Sequence, residues 1–194
     1  MAPRLRPATQ EDAEALARLI DIAGEGFGTY LWSQSAGPGE SAIDVGKRRA
    51  QREDGGFSYR NAIFAELDGN IAALLLGYRL ADPYDTGDLA ALPKVVRPLI
   101  ELESEAPGSW YVNALAVFPG HRGKGLGTTL LREAEQLARE TRAPALSIIV
   151  ADQNEGAKRL YERTGYRAVA CRPIVAFPGF AHTGDWVLMT KPVG

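Results

Sequence analysis

Apolar positions along this chain recur with two periods, and the switches between them mark out its elements. Leu16, Leu19, Ile20 and Ala23 fall on one stripe at helical spacing, so "TQEDAEALARLIDIAG" is predicted as a helix. Thr9 and Asp12 have the spacing of a capping box at its start, and "RLRPA" before it reads as a short strand. "IDVGKRRAQRED" carries a second helical pattern, weakened by Gly46. "NAIFAEL" and "IAALLLGYRL" flank Asp68-Gly69, the pattern of a β-hairpin. "WYVNALAVF" is a strand ended by Pro119. Leu126, Leu130, Leu131, Ala134, Leu137 and Ala138 form one apolar face of the helix that follows. "ALSIIV" reads as a buried strand and "NEGAKRLYERTGY" as a short helix, with Asn154 its N-cap and Gly165 the left-handed residue past its end. "RAVACRP" and "WVLMTKP" are two last strands around the irregular "FPGFAHTGD". This order describes an α/β protein with a mixed sheet and helices packed on it.

Residues 81 to 109 stand apart from the alternation as an insertion, with a predicted helix over "LPKVVRPLIELESEA" that "PGS" closes. With 194 residues, one domain spanning 1–194 is expected, carrying this insertion and an irregular loop over 172–185. A net charge of −2 argues against a nucleic-acid partner. No apolar run reaches membrane-spanning length and "MAPRLRPATQEDAEALARLI" has no signal core, so neither a membrane nor an export route is expected. A single cysteine, Cys171, fits a reducing cytoplasm, and its apolar strand context predicts a buried structural thiol. His121 is expected to be exposed and His182 isolated, which with one cysteine predicts no metal site.

The stretch "FPGHRGKGLGTTLL" crowds Gly120, Gly123, Gly125 and Gly127 among His121, Arg122 and Lys124, directly before an apolar helix. A strand, a glycine-rich turn and a helix start together suit an anion, because unpaired N–H groups and the positive dipole end face outward. Glycines let that backbone approach a phosphate closely. The spacing is neither a Walker loop, which needs Gly-Lys-Ser/Thr, nor the dinucleotide fingerprint, since the third glycine comes one residue early. A strand–helix turn that merely favours glycine fits the spacing equally well.

"LAVFPGHRGKGLGTTLL" resembles the signature of the GNAT superfamily of N-acetyltransferases, whose Arg/Gln-x-x-Gly-x-Gly/Ala motif is matched by Arg122, Gly125 and Gly127. A second motif of the family is matched by Asn154, Ala157, Tyr161, Gly165 and Tyr166. The strong resemblance covers roughly residues 110 to 170. It implies a GNAT-like fold, a central mixed sheet with helices on both faces and a splayed parallel strand pair. It also implies that acetyl-CoA is the cosubstrate. The diphosphate would lie on Arg122, Gly123, Lys124, Gly125, Leu126, Gly127 and Thr128, and the pantetheine arm beside Leu115, Ala116 and Val117. Asn154 and Tyr161, two helical turns apart, would also meet the cofactor, with Tyr161 the acid that protonates the departing thiolate. By spacing alone Tyr161 reads as a core aromatic and Asn154 as a cap.

The strand before the turn has one wholly apolar face, Val112, Ala114, Ala116 and Phe118. The other face carries Tyr111 and Asn113, candidate substrate-binding residues on the active-site wall, with Leu115 and Val117 beyond them. Many relatives place a carboxylate base there, which this chain lacks. Glu25, Glu101, Glu103 and Glu105 flank the region and read as solvated surface charges, so the base stays unassigned. "GEGFGTYLW" fits a mobile lid or a helix terminus equally well. The reading is thus an enzyme that passes an acetyl group directly from acetyl-CoA to a primary amine of a small molecule or peptide. The alternative is a CoA-binding or regulatory module without transfer. Acceptor choice is expected in segments 81–109 and 172–185, with Asp82, Tyr84, Asp85, Asp88, Phe177 and Phe180. The resemblance also brings a homodimer into view.

Overall fold

The computed structural model describes residues 3–194. Its elements run β1 (Arg4–Pro7), α1 (Ala13–Ala23), α2 (Phe27–Ser33), α3 (Ala42–Ala50), β2 (Ala62–Leu67), β3 (Asn70–Arg79) and α4 (Arg97–Ser104). Then follow β4 (Trp110–Val117), α5 (Leu126–Glu140), β5 (Ala145–Ala151), α6 (Glu155–Arg163), β6 (Arg167–Pro173) and β7 (Asp185–Pro192). The strands form a seven-stranded sheet in the order β1-β2-β3-β4-β5-β7-β6, in which β4 and β5 pair in parallel. That parallel ladder joins Trp110–Val112 to Leu146–Ile148, while β4 runs on to Val117 and β5 to Ala151.

The chain divides into two compact units, the first formed by residues up to Gly77 with Asn113–Leu130, the second by Tyr78–Val112 with Leu131–Gly194. In the first unit Leu16, Leu19 and Ile20 of α1 are buried with Phe64, Leu74, Leu76, Ala114 and Ala116. The hairpin turn takes the expected form, with Asp68 and Gly69 both at positive φ (51° and 77°), as a two-residue type I′ turn requires. At the expected capping box, Asp12 Oδ2 accepts from the Thr9 N–H and hydroxyl (2.8 and 3.0 Å). The sequence pattern did not separate α2 from its surroundings. Its first turn is capped from α1, where Asp21 Oδ1 accepts from Thr29 N–H at 2.6 Å, and Gly26 enters at φ 92°. Gly46 has a packing reason: a Cβ there would stand 2.6 Å from the ring of the buried Trp32. Glycine in α3 is what lets α2 lie against it.

The second unit is built on β5, β7 and β6, whose antiparallel ladders run Ala145–Ala151 against Trp186–Pro192 and Arg167–Pro173 against Asp185–Thr190. Over one face, Leu102 and Ala106 are buried with Ala151, Trp186 and Leu188, and Leu99, Ile149, Ile174 and Phe180 pack around them. The insertion helix and the 172–185 loop therefore share one cluster. The helix is shorter than predicted, because Pro98 is tolerated only in its first turn, and the chain before Arg97 is irregular. Cys171 is exposed, which corrects the expected buried thiol. β6 is an edge strand: Ala170 and Arg172 are partly covered, while Val169 and Cys171 are exposed.

Candidate active site

In the first unit, β4 leads through Phe118 and a short 3-10 turn, Pro119–His121, into the glycine stretch. Phe118 N–H donates to Ala72 C=O (2.9 Å), which ties the end of β4 to β3. Gly123 and Gly125 both stand at φ 77°, a conformation that side-chain-bearing residues avoid. No atom lies within 4 Å of where a Cβ would stand on either. The turn is therefore open above its backbone, and its glycines are required by conformation rather than by crowding. Thr129 N–H donates to Gly125 C=O (3.1 Å), closing the first turn of α5. That makes Gly125 the N-cap and leaves the N–H groups of Leu126, Gly127 and Thr128 without a carbonyl four residues back to accept them. Arg122, Gly123, Lys124 and Gly125 are exposed and Leu126 is buried, so the cations and the amides are presented while the helix is anchored. His121 is half-buried rather than exposed, and its Nδ1 has no hydrogen-bond partner among the described residues. On β4, Ala114 and Ala116 are buried whereas Asn113, Leu115 and Val117 are half-buried, the alternation read from the sequence.

In the second unit the Asn…Tyr…Gly-Tyr motif is first of all a pair of helix caps. Asn154 Oδ1 accepts from Ala157 N–H at 3.1 Å, capping α6. At the other end Gly165 (φ 97°) donates to Glu162 C=O and Tyr166 N–H donates to Tyr161 C=O (3.1 and 3.0 Å). These are the two bonds of a Schellman motif, and the apolar contact that accompanies it is made by the rings of Tyr161 and Tyr166, 5.9 Å apart. Tyr161 is buried, and burial pushes its phenol above the ordinary value, so the hydroxyl stays protonated and able to donate.

The four candidate carboxylates separate. Glu101 accepts from Arg172 Nε at 3.1 Å, and Glu105 pairs with the same guanidinium, so Arg172 of β6 ties down α4. Glu25 sits at φ 50° in the turn before α2. Glu103 is not the solvated charge expected of it. It is 8% exposed, and Tyr84 Oη donates to its Oε2 at 2.6 Å, while the Tyr111 phenol also favours its charged form. Tyr111 is buried and packs edge-on against Tyr78 with ring centroids 6.0 Å apart. Beside them Ser109 and Ser147 share a buried hydrogen bond of 2.7 Å. Burial raises the carboxyl of Glu103 above its ordinary value, against the opposing pull of the two phenols. The sequence held a signal for this: Glu103 lies four residues after Leu99 and three before Ala106, on the buried stripe of α4.

A family model described as the Acetyltransferase (GNAT) family matches residues 27–166, well over half of the chain. The chain belongs to this family. A streptothricin acetyltransferase from Streptomyces lavendulae is 42% identical over 82 residues, a stretch that covers 42% of this chain and 43% of that protein. This alignment thus spans less than half of the relative's length. Among solved structures, a putative acetyltransferase from Salmonella typhimurium with its cofactor acetyl-CoA matches with TM-score 0.64 at 17% identity, covering 100% of this chain and 95% of that one. A ribosomal-protein-alanine N-acetyltransferase from Brucella melitensis matches with TM-score 0.65 at 21% identity, covering 97% and 99%. At these identities the likeness shows the fold, and it is the GNAT fold. Among the described residues no group of three or more His, Cys, Asp or Glu could hold a metal, and no helix is long and apolar enough to cross a membrane.

Proposed function

We propose that this GNAT chain is an N-acetyltransferase that passes the acetyl group of acetyl-CoA directly to a primary amine. The observation that carries the reading is the open turn at Gly123 and Gly125, with Arg122 and Lys124 exposed at the mouth of α5. Such a turn fits a diphosphate, because it offers backbone donors, a positive dipole end and two cations with no side chain in the way. In this reading Arg122 to Thr128 hold the diphosphate, and Leu115, Ala116 and Val117 pair with the pantetheine arm along the half-buried side of β4. Asn154 adds a contact from the start of α6. Bound acetyl-CoA supplies an activated acyl group on a good leaving thiolate. An N–H near Val117 stabilises charge on the carbonyl oxygen, and Tyr161 gives its proton to the sulfur. No enzyme thiol is needed.

Direct transfer within a single domain, in the cytoplasm and free of metal, completes the proposal. The acceptor is an amine of a small molecule or a peptide. Streptothricin is one candidate, since the relative that names it shares 42% identity over its aligned stretch. The test is thiol release from acetyl-CoA with streptothricin, L-lysine and a peptide with N-terminal alanine, alongside calorimetry with CoA. Thiol release with an amine and CoA binding are expected. CoA binding without release from any amine would favour a binding module, and no CoA binding would remove the proposal.

A further inference from the structure

Glu103 is a buried carboxylate set among phenols. A buried acid is costly unless it is paired, and the usual partner is a cation. Arg172, the guanidinium on neighbouring β6, is occupied with Glu101 and Glu105 instead. Its neighbours are two phenols, Tyr84, which donates to it at 2.6 Å, and Tyr111; both favour its charged form, but neither carries a charge that would lock it ionised. The two phenols differ in access: Tyr111 is buried, whereas Tyr84 is half-buried in the irregular chain before α4. Tyr78, also half-buried, closes the group from β3. By the two-residue period of a strand, Tyr111 shares its β4 face with Asn113, Leu115 and Val117, the side proposed above for the pantetheine arm.

We propose that Tyr84 and Glu103 are the proton-accepting pair for the acceptor amine, with Tyr111 the positioning residue that holds the carboxylate. The proposal rests on the acetyl-transfer reading. An amine arriving as an ammonium loses two protons on becoming an amide. The first passes to Tyr84 Oη as the hydroxyl's own proton moves across the 2.6 Å bond to Glu103 Oε2. The neutral amine then forms the C–N bond as the C–S bond breaks. The second proton restores Tyr161 after it has protonated the thiolate, and Glu103 returns its proton to solvent. Burial favours the protonated form of Glu103, which makes its carboxylate a stronger base than an exposed one. A half-buried tyrosine in front of a buried acid also selects acceptors that arrive as cations.

The experiment compares wild type, Glu103→Gln, Tyr84→Phe and Glu103→Ala for thiol release with the best amine of the panel above, with melting temperatures measured in parallel. Glu103→Gln keeps the shape and one acceptor oxygen, and turnover is expected to fall by about a hundredfold, within the usual span of general-base effects. Tyr84→Phe should fall less, since water can bridge the gap. Glu103→Ala should regain part of its turnover with added formate, which restores a carboxylate to the vacated space, and a purely structural tie would give no such rescue. Wild-type turnover in a folded Glu103→Gln protein overturns the pair while leaving acetyl transfer standing. Failure of wild type to release CoA with any amine, with CoA still bound, overturns both.

Discussion

Asp12 and Glu103 are both carboxylates withdrawn from solvent, one in each unit, and their surroundings differ in kind. The Asp12 side chain is 13% exposed and takes two bonds from the Arg6 guanidinium, at 2.7 and 2.9 Å, while Arg6 Nε donates to Glu66 at 2.6 Å. Arg6 holds the Asp12 carboxyl down to about 2. Glu103 has phenols for partners, and burial moves it the other way. A carboxylate locked to a guanidinium stays ionised at neutral pH and is a poor base, so Asp12 serves the fold. One kept among neutral donors retains a proton affinity that chemistry can use. The same contrast separates the units: the first presents an open glycine turn, whereas the second holds the protonated phenols and the raised carboxyl. Binding and proton transfer should then fail separately when each is disturbed.

The largest expected effect is on binding. Gly125→Val places a branched side chain at φ 77°, over a turn where nothing now stands. If the backbone there meets the diphosphate, one or two charge-assisted hydrogen bonds are lost, and CoA affinity should fall by about a hundredfold. The strained backbone itself costs about 1–3 kcal/mol of folding stability. Calorimetry on the folded variant separates the two, and an unchanged CoA affinity would remove the turn from the cofactor site.

Next is Tyr161. Tyr161→Phe keeps the ring contact with Tyr166 and the Schellman bonds, which are backbone bonds, so folding and CoA affinity should hold. Turnover should drop by about tenfold to a hundredfold, a modest general-acid effect, since a thiolate leaves readily. Tyr161→Ala removes the ring from a site that is 6% exposed and should cost about 3–5 kcal/mol. Normal turnover in Tyr161→Phe would make this tyrosine a packing residue alone.

How far the sequence could carry these conclusions depended on whether the relevant contact was local. The hairpin at Asp68-Gly69, the cap at Asn154 and the stop at Gly165 were legible because each device lies within a few residues of the element it controls. The alternation of β4 was legible for the same reason. What failed was set at a distance. The cap of α2 comes from Asp21 in another helix, and the glycine that weakened the α3 prediction is there for Trp32. The apolar pattern misplaces Cys171 because an outer strand has one uncovered face, and which face is uncovered depends on where α4 packs. Glu103 reads from the sequence as surface charge although it shares the buried stripe with Leu99, Leu102 and Ala106, because its neighbours Tyr84 and Tyr111 come from other segments.

The smallest effect tests the carboxylate contrast directly, as stability against pH. Asp12 is depressed from its ordinary 3.8 to about 2, so folding tightens as it ionises. Its contribution, about 2 kcal/mol at most, is complete above pH 3.8 and disappears as pH falls toward 2. Glu103 is raised, so the folded chain binds its proton more tightly than the unfolded chain does. Its contribution therefore runs in the opposite sense: stability declines as pH rises above the ordinary carboxyl value of 4.5, until the folded group has ionised. Melting temperatures of wild type, Asp12→Asn and Glu103→Gln between acid and neutral pH should then diverge at opposite ends. Asp12→Asn should lose stability relative to wild type at neutral pH and match it near pH 2, close to the depressed carboxyl value. Glu103→Gln should gain on wild type as pH rises, because an amide has no charge to bury. A Glu103→Gln curve that runs parallel to wild type across the whole range would mean that Glu103 titrates as an exposed acid, and the contrast between the two carboxylates would collapse.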